Sequence, residues 1–179
     1  MNSENDLHRL ADLLQQRNEI DAEIAHIINR PALPSHLGEY IASKLFDIRL
    51  QESASDKGID GVFQTGPLRG RTVNIKYYGK RERLLDISLG NLADYYLVLT
   101  GPKAPATSSR GGVRPFVISN IHIFEMRQLL NELRMRGVKI GTATSVTNNL
   151  WDATEIYPNH RNASLSITER EKTILQHFK

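Results

Sequence analysis

The sequence predicts an α/β domain, a central mixed β-sheet flanked by helices and preceded by a long N-terminal helix. Three observations predict it. Apolar residues recur at three-, four- and seven-residue separations through the first thirty positions, as on one face of a helix. The runs IDGVFQT, RTVNIKYY, YYLVLT and VRPFVISNIHIF have the length and the β-branched or aromatic content of strands. After them comes FEMRQLLNELRMRG, an amphipathic helix that ends at Gly137. At 179 residues the chain is the size of one domain with a core. It divides into an amphipathic helix at 1–30 and a single domain at 31–179 that carries a C-terminal extension.

Leu7, Leu10, Leu13, Leu14, Ile20, Ile24, Ile27 and Ile28 form the apolar stripe of the first helix, which Pro31 and Pro34 end. A lone amphipathic helix is marginal in water, so the stripe is expected on the domain or on a second copy of the chain in a homodimer. The segment SHLGEYIASKLFDIRL reads as a second helix, capped by Ser35, with Leu37, Ile41, Leu45 and Ile48 on one face. QESASDKG at 51–58 reads as a loop. IDGVFQT and RTVNIKYY flank the turn residues GPLRG at 66–70 and read as a hairpin. LADYYLVLT at 92–100 reads as a helix-to-strand passage whose continuous apolar run suits a strand buried on both faces. GPKAPATSSRGG at 101–112 reads as a mobile loop. Residues 140–165 lack a clear period, and a last helix starts at Thr168 with the capping box TERE.

A hairpin centred near Leu68 sets Asp60 opposite Lys76 and Val62 opposite Asn74. Asp60, Asn74 and Lys76 then share one face, while Ile59, Phe63, Val73, Ile75 and Tyr77 form core on the other.

The chain has no cysteine, which excludes disulfides, thiolate zinc sites, iron–sulfur clusters and thiol nucleophiles. Any metal is left to oxygen or imidazole, and no histidine pair has zinc-site spacing. No apolar run is long enough to span a bilayer, and the first twenty residues lack the apolar run of a signal peptide, so a cytoplasmic protein without a membrane partner is expected. Residues 1–60 hold eleven acids and six bases, residues 61–179 nine acids and seventeen bases. Arg69, Arg71, Lys80, Arg81 and Arg83, with Tyr77 and Tyr78 among them, form a candidate phosphate-facing patch for nucleic acid. Trp151, Asp152 and Glu155 offer a candidate partner surface, although a tryptophan is more often core.

Glu39 on the second helix, Asp60 at the head of one hairpin strand and Asn74-Ile75-Lys76 on the other are the residues with chemistry in view. Through GEYIASKLF, GIDGVF and VNIKYY, with DYYLVLT as the next strand, the sequence resembles the PD-(D/E)XK nuclease superfamily over roughly residues 35–100. The resemblance implies a restriction-endonuclease-like three-layer fold and a divalent-metal-dependent DNA endonuclease that hydrolyses phosphodiesters, in restriction or repair. It implies Mg²⁺ or Mn²⁺ held by Asp60 and the Ile75 carbonyl, with Glu39 on the metal shell and Lys76 beside the attacking water. The neighbouring carboxylate is expected to keep Lys76 protonated for electrostatic stabilisation. Asn74 stands where active members most often carry an acid, and a carboxamide offers only a neutral oxygen. The second reading is therefore a catalytically inactive nuclease-like module that binds nucleic acid or a partner protein.

Overall fold

The computed structural model describes residues 3–52, 58–103 and 114–179. In chain order the elements are α1 (Ser3–Ile28), α2 (Pro34–Leu45), β1 (Ile48–Leu50), β2 (Gly61–Phe63), β3 (Thr72–Tyr78), β4 (Leu84–Leu85), β5 (Tyr95–Thr100), β6 (Asn120–Glu125), α3 (Met126–Met135), β7 (Thr144–Ser145), α4 (Asn148–Ala153), β8 (Glu155–Tyr157) and α5 (Glu169–Gln176). Most of the segments read as loops at 51–58 and 101–112 lies outside the described residues.

Six strands form one mixed sheet in the order β1-β2-β3-β5-β6-β8, and β4 and β7 make a small separate ribbon. β3 and β5 run parallel, while every other neighbouring pair in the large sheet is antiparallel. β5 lies inside the sheet, where a strand must bury side chains to both faces. Leu97 and Leu99 join Val73, Ile75, Ile121 and Ile123 in one core, covered by Ala42 and Leu45 of α2 and Leu175 of α5. Tyr96 and Val98 join Phe124 in a second core on the opposite face, covered by Leu129, Leu130 and Leu133 of α3 and Trp151 of α4.

Several elements differ from the sequence reading. α2 starts with Pro34 in its first turn and has no side-chain cap, so Ser35 lies inside the helix. It buries Gly38, Ala42 and Leu45 and ends there, leaving Ile48 to open β1. Residues 92–94 do not form the helix expected to lead into β5; Asp94 instead accepts from the Thr72 backbone N–H and hydroxyl, each at 2.9 Å. The strand expected from residue 113 begins at Asn120. Before it, Ile118 N–H donates to the Phe178 carbonyl at 2.7 Å, tying the segment to the C-terminus. Residues 140–165, aperiodic in sequence, supply α4 and a sheet strand, β8. The capping box of α5 forms between Thr168 and Glu171.

α1 leaves its apolar stripe uncovered. Leu7, Leu10, Leu13, Leu14, Ile20 and Ile27 are each between 46% and 66% exposed, and only the end of the helix, at buried Ile28, is tucked in beside α2. Most of the stripe does not lie on the domain.

Candidate metal centre

The hairpin register brings the candidate residues together by a route different from the expected one. Gly61 faces Val73 and Val62 faces Thr72, so the turn is centred on Pro67 and Asp60 does not oppose Lys76. Leu68 is the reason: it is buried under the turn, and Gly66 and Gly70, at φ 71° and 79°, let the loop fold over it. A shift of two residues preserves side-chain parity. Asn74 and Lys76, two apart on β3, share the face opposite the Val73 and Ile75 core.

β2 and β3 part company at Asp60. Its backbone N–H donates to the Val73 carbonyl at 2.9 Å, the carbonyl that a regular ladder would give to Gly61. Ile59 consequently packs on the second core with Tyr78 and Tyr96 and not beside Phe63. With the strands diverging, the Asp60 carboxylate takes the place of a strand partner and accepts from Ile75 N–H at 2.6 Å. In extended backbone the N–H and C=O of one residue point the same way, so the Ile75 carbonyl is also directed toward this fork. On its other side β2 lies close against β1, where a Cβ on Gly61 would come 2.6 Å from the Arg49 carbonyl oxygen.

α2 delivers Glu39. A Cβ on Gly38 would meet the Tyr77 Cβ at 3.0 Å, so the missing side chain lets the helix lie close on β3. Glu39 then comes within electrostatic reach of Asp60, and Lys76 approaches from the other side, its Nζ 5.0 Å from the centre of the Tyr96 ring. Burial pushes the Asp60 carboxyl above its ordinary pKa. The Ile75 N–H pulls it back, Glu39 adds to the rise, and Lys76 and Arg30 oppose it. Burial likewise pulls the Lys76 ammonium below its ordinary value, with Asp60 and Asp86 acting in the opposite sense. The neighbouring carboxylate is thus outweighed by desolvation, and Lys76 is a better proton donor than the sequence led one to expect.

Asn74 is buried and its Oδ1 has no hydrogen-bond partner. A buried acceptor left empty on the strand residue between Val73 and Ile75, both of which bond Asp60, suits a cation or an ordered water. Among the described residues no three acidic or imidazole side chains gather as a metal cluster. A cation here would rest on two carboxylates, Asp60 and Glu39, completed by the neutral oxygens of Asn74 and Ile75. That all-oxygen set fits Mg²⁺ or Mn²⁺ with part of its shell left to water.

One further side chain belongs to this group. Arg30, from the corner between α1 and α2, forms an ion pair with Glu39 and acts electrostatically on Asp60. Sequence reasoning passed over it because it lies nine positions from Glu39 in a proline-flanked corner, with no motif to mark it.

The basic residues do not form one patch. Arg69 and Arg71 are exposed at one end of β3, where Arg71 lies 3.6 Å from Asp94, and Lys80 and Arg83 lie beyond the other end, about 20 Å along the strand. Arg81 is only 5% exposed, pairs with Asp152 at 3.1 Å and packs against the Trp151 ring. It is part of the fold and is withdrawn from the nucleic-acid set. Trp151 is fully buried and Glu155 accepts from Asn120 and Asn159 inside the molecule, so these residues offer no partner surface.

The chain matches no protein-family model and no curated protein.

Proposed function

We propose that this chain is a divalent-metal-dependent DNA endonuclease of the restriction-endonuclease-like, PD-(D/E)XK type. The observation that carries the reading is the fork between β2 and β3. There Asp60 is held by Ile75 N–H, with Glu39 and Lys76 in electrostatic reach and the Asn74 oxygen unpartnered. The mixed sheet with cores on both faces supports the same reading. In it, Asp60 and Glu39 hold the cation and the Asn74 and Ile75 oxygens complement them. Lys76 supplies positive charge, or a proton, at the phosphoryl group. Mg²⁺ or Mn²⁺, when bound, neutralises phosphoryl charge and acidifies water. Arg69 and Arg71 at one end of β3 and Lys80 and Arg83 at the other meet the DNA backbone.

Cleavage of supercoiled plasmid and of single-stranded DNA in Mg²⁺ and Mn²⁺, run beside Asp60→Ala and Lys76→Ala, tests it. Cutting by the wild type alone is the expected result. Cutting retained by folded Asp60→Ala removes Asp60 from the mechanism.

One observation favours a second reading, a nuclease-like module that binds without cutting. The set contains only two carboxylates, with Asn74 at the position of the usual second acid of the motif. Salt-sensitive DNA binding without cleavage in either metal is its signature. The uncovered stripe of α1 also supports a homodimer, because the three-, seven-, four- and three-residue steps from Leu10 through Leu13, Ile20, Ile24 and Ile27 suit a helix-pairing seam.

A further inference from the structure

The corner between α1 and α2 is built to aim one side chain. Ile28 is buried, Asn29 turns the chain with φ 54°, and the Pro31 carbonyl accepts from Leu33 N–H at 2.7 Å and lies 2.9 Å from His36 Nδ1. Arg30, held between these anchors, reaches back to α2 and places Nη1 on Glu39 Oε2. The Glu39 side chain is only 13% exposed, whereas that of Arg30 is 43% exposed. The same guanidinium acts electrostatically on Asp60. One arginine therefore serves both carboxylates of the candidate metal centre.

We propose that Arg30 is the resident counter-ion of this centre, holding Glu39 when no divalent cation is bound and giving it up when one binds. The inference rests on the metal-centre reading above. A carboxylate this far out of water is costly to leave unpaired, and a planar guanidinium fork is the side chain that satisfies it best. A divalent cation on Glu39 and Asp60 needs the same oxygens and is repelled by the same charge. The two cations therefore exclude each other. Arg30 is free to leave because its own side chain is half in solvent and α1 beyond the corner is not clamped to the domain. Once released, the fork can take a phosphate oxygen pair in place of the carboxylate. Metal affinity in the absence of DNA is thereby lowered, and Glu39 is kept ordered for the metal.

The test is Mn²⁺ binding to the full chain without DNA, measured by calorimetry and by the electron spin resonance of free Mn²⁺, on wild type, Arg30→Gln, Glu39→Gln, the double variant and Asp60→Ala. Arg30→Gln is expected to bind Mn²⁺ about tenfold more tightly than wild type, the size of losing one competing, partly buried ion pair. The gain is expected to vanish in the Glu39→Gln background, because the competition runs through that carboxylate. Arg30→Lys, with the charge but not the fork, is expected between the two and serves if Arg30→Gln does not fold. Equal affinity in wild type and Arg30→Gln, with binding still lost in Asp60→Ala, overturns the inference and leaves the metal centre standing. A gain that persists without Glu39 also overturns it, because Arg30 would then act only as distant charge. No Mn²⁺ binding by any variant removes the metal centre itself, and the inference with it.

Discussion

Asn74 is the residue on which the chemistry turns. Its carboxamide is buried, its Oδ1 has no partner, and it sits beside an aspartate whose carboxyl is already pushed upward by burial. A carboxylate in its place adds formal charge to the cation site. We expect Asn74→Asp to tighten Mn²⁺ binding by about tenfold or more, read by calorimetry. Unchanged affinity in a folded variant places the Asn74 oxygen outside the site. Arg81 and its neighbours make the opposite case, in which one stretch of basic sequence holds two kinds of residue. Arg81→Ala leaves Asp152, 36% exposed, to solvent but opens space against buried Trp151, and we expect a loss of about 1–2 kcal/mol in urea unfolding. Arg83→Glu changes an exposed residue. We expect it to leave stability nearly unchanged while weakening DNA binding and flattening its salt dependence.

At the scale of elements, the seam between β6 and α4 carries a pH dependence. His122 of β6 is buried against Trp151, with ring centres 4.8 Å apart, and its Nδ1 lies 2.9 Å from the Trp151 carbonyl. That contact sets the proton on Nδ1, which donates to the carbonyl. Burial, then the nearby Arg81 charge, drives the His122 pKa down from 6.5 to about 3, against the opposing pull of the Trp151 carbonyl and Asp152. The folded value lies below the unfolded one, so between them the unfolded chain binds a proton that the folded chain refuses. The stability this provides is complete above pH 6.5 and is lost as pH falls toward 3, at about 1.4 kcal/mol per unit. Urea midpoints followed from pH 7 to pH 4 are expected to fall more steeply in wild type than in His122→Phe. Parallel slopes mean that His122 is protonated in the folded protein.

The whole molecule presents an asymmetry between a domain with two closed cores and a helix whose stripe is exposed at Leu7, Leu10, Leu13, Leu14, Ile20 and Ile27. A 26-residue helix exposing six large apolar side chains is a surface for association. Sedimentation at tens of micromolar is expected to give a dimer for wild type and a monomer for Leu10→Glu with Leu13→Glu. The melting of the domain core should not change between the monomeric variant and wild type at high dilution, because neither leucine touches that core. A wild type that stays monomeric assigns the stripe to another partner. Among the described residues no helix is long and apolar enough to cross a membrane, so the stripe is not a span.

Local pattern sufficed where the physics is local. The buried run of β5, the amphipathic face of α3 with its stop at Gly137, and the Thr168–Glu171 cap are written in neighbouring residues and needed nothing else. The common face of Asn74 and Lys76 was also legible, because residues two apart on one strand share a face whatever its pairing register. What stayed hidden depends on residues far apart in the chain. Leu68 sinks into the core and recentres the hairpin, the strands part at Asp60, Trp151 and Arg81 meet across seventy positions, and Arg30 reaches Glu39 around a corner. Sequence determined which residues could carry charge and which faces had to be apolar. Only tertiary structure decided which charges are desolvated and paired, because burial and proximity, and the pKa values they set, belong to the packed molecule and to no single stretch of chain.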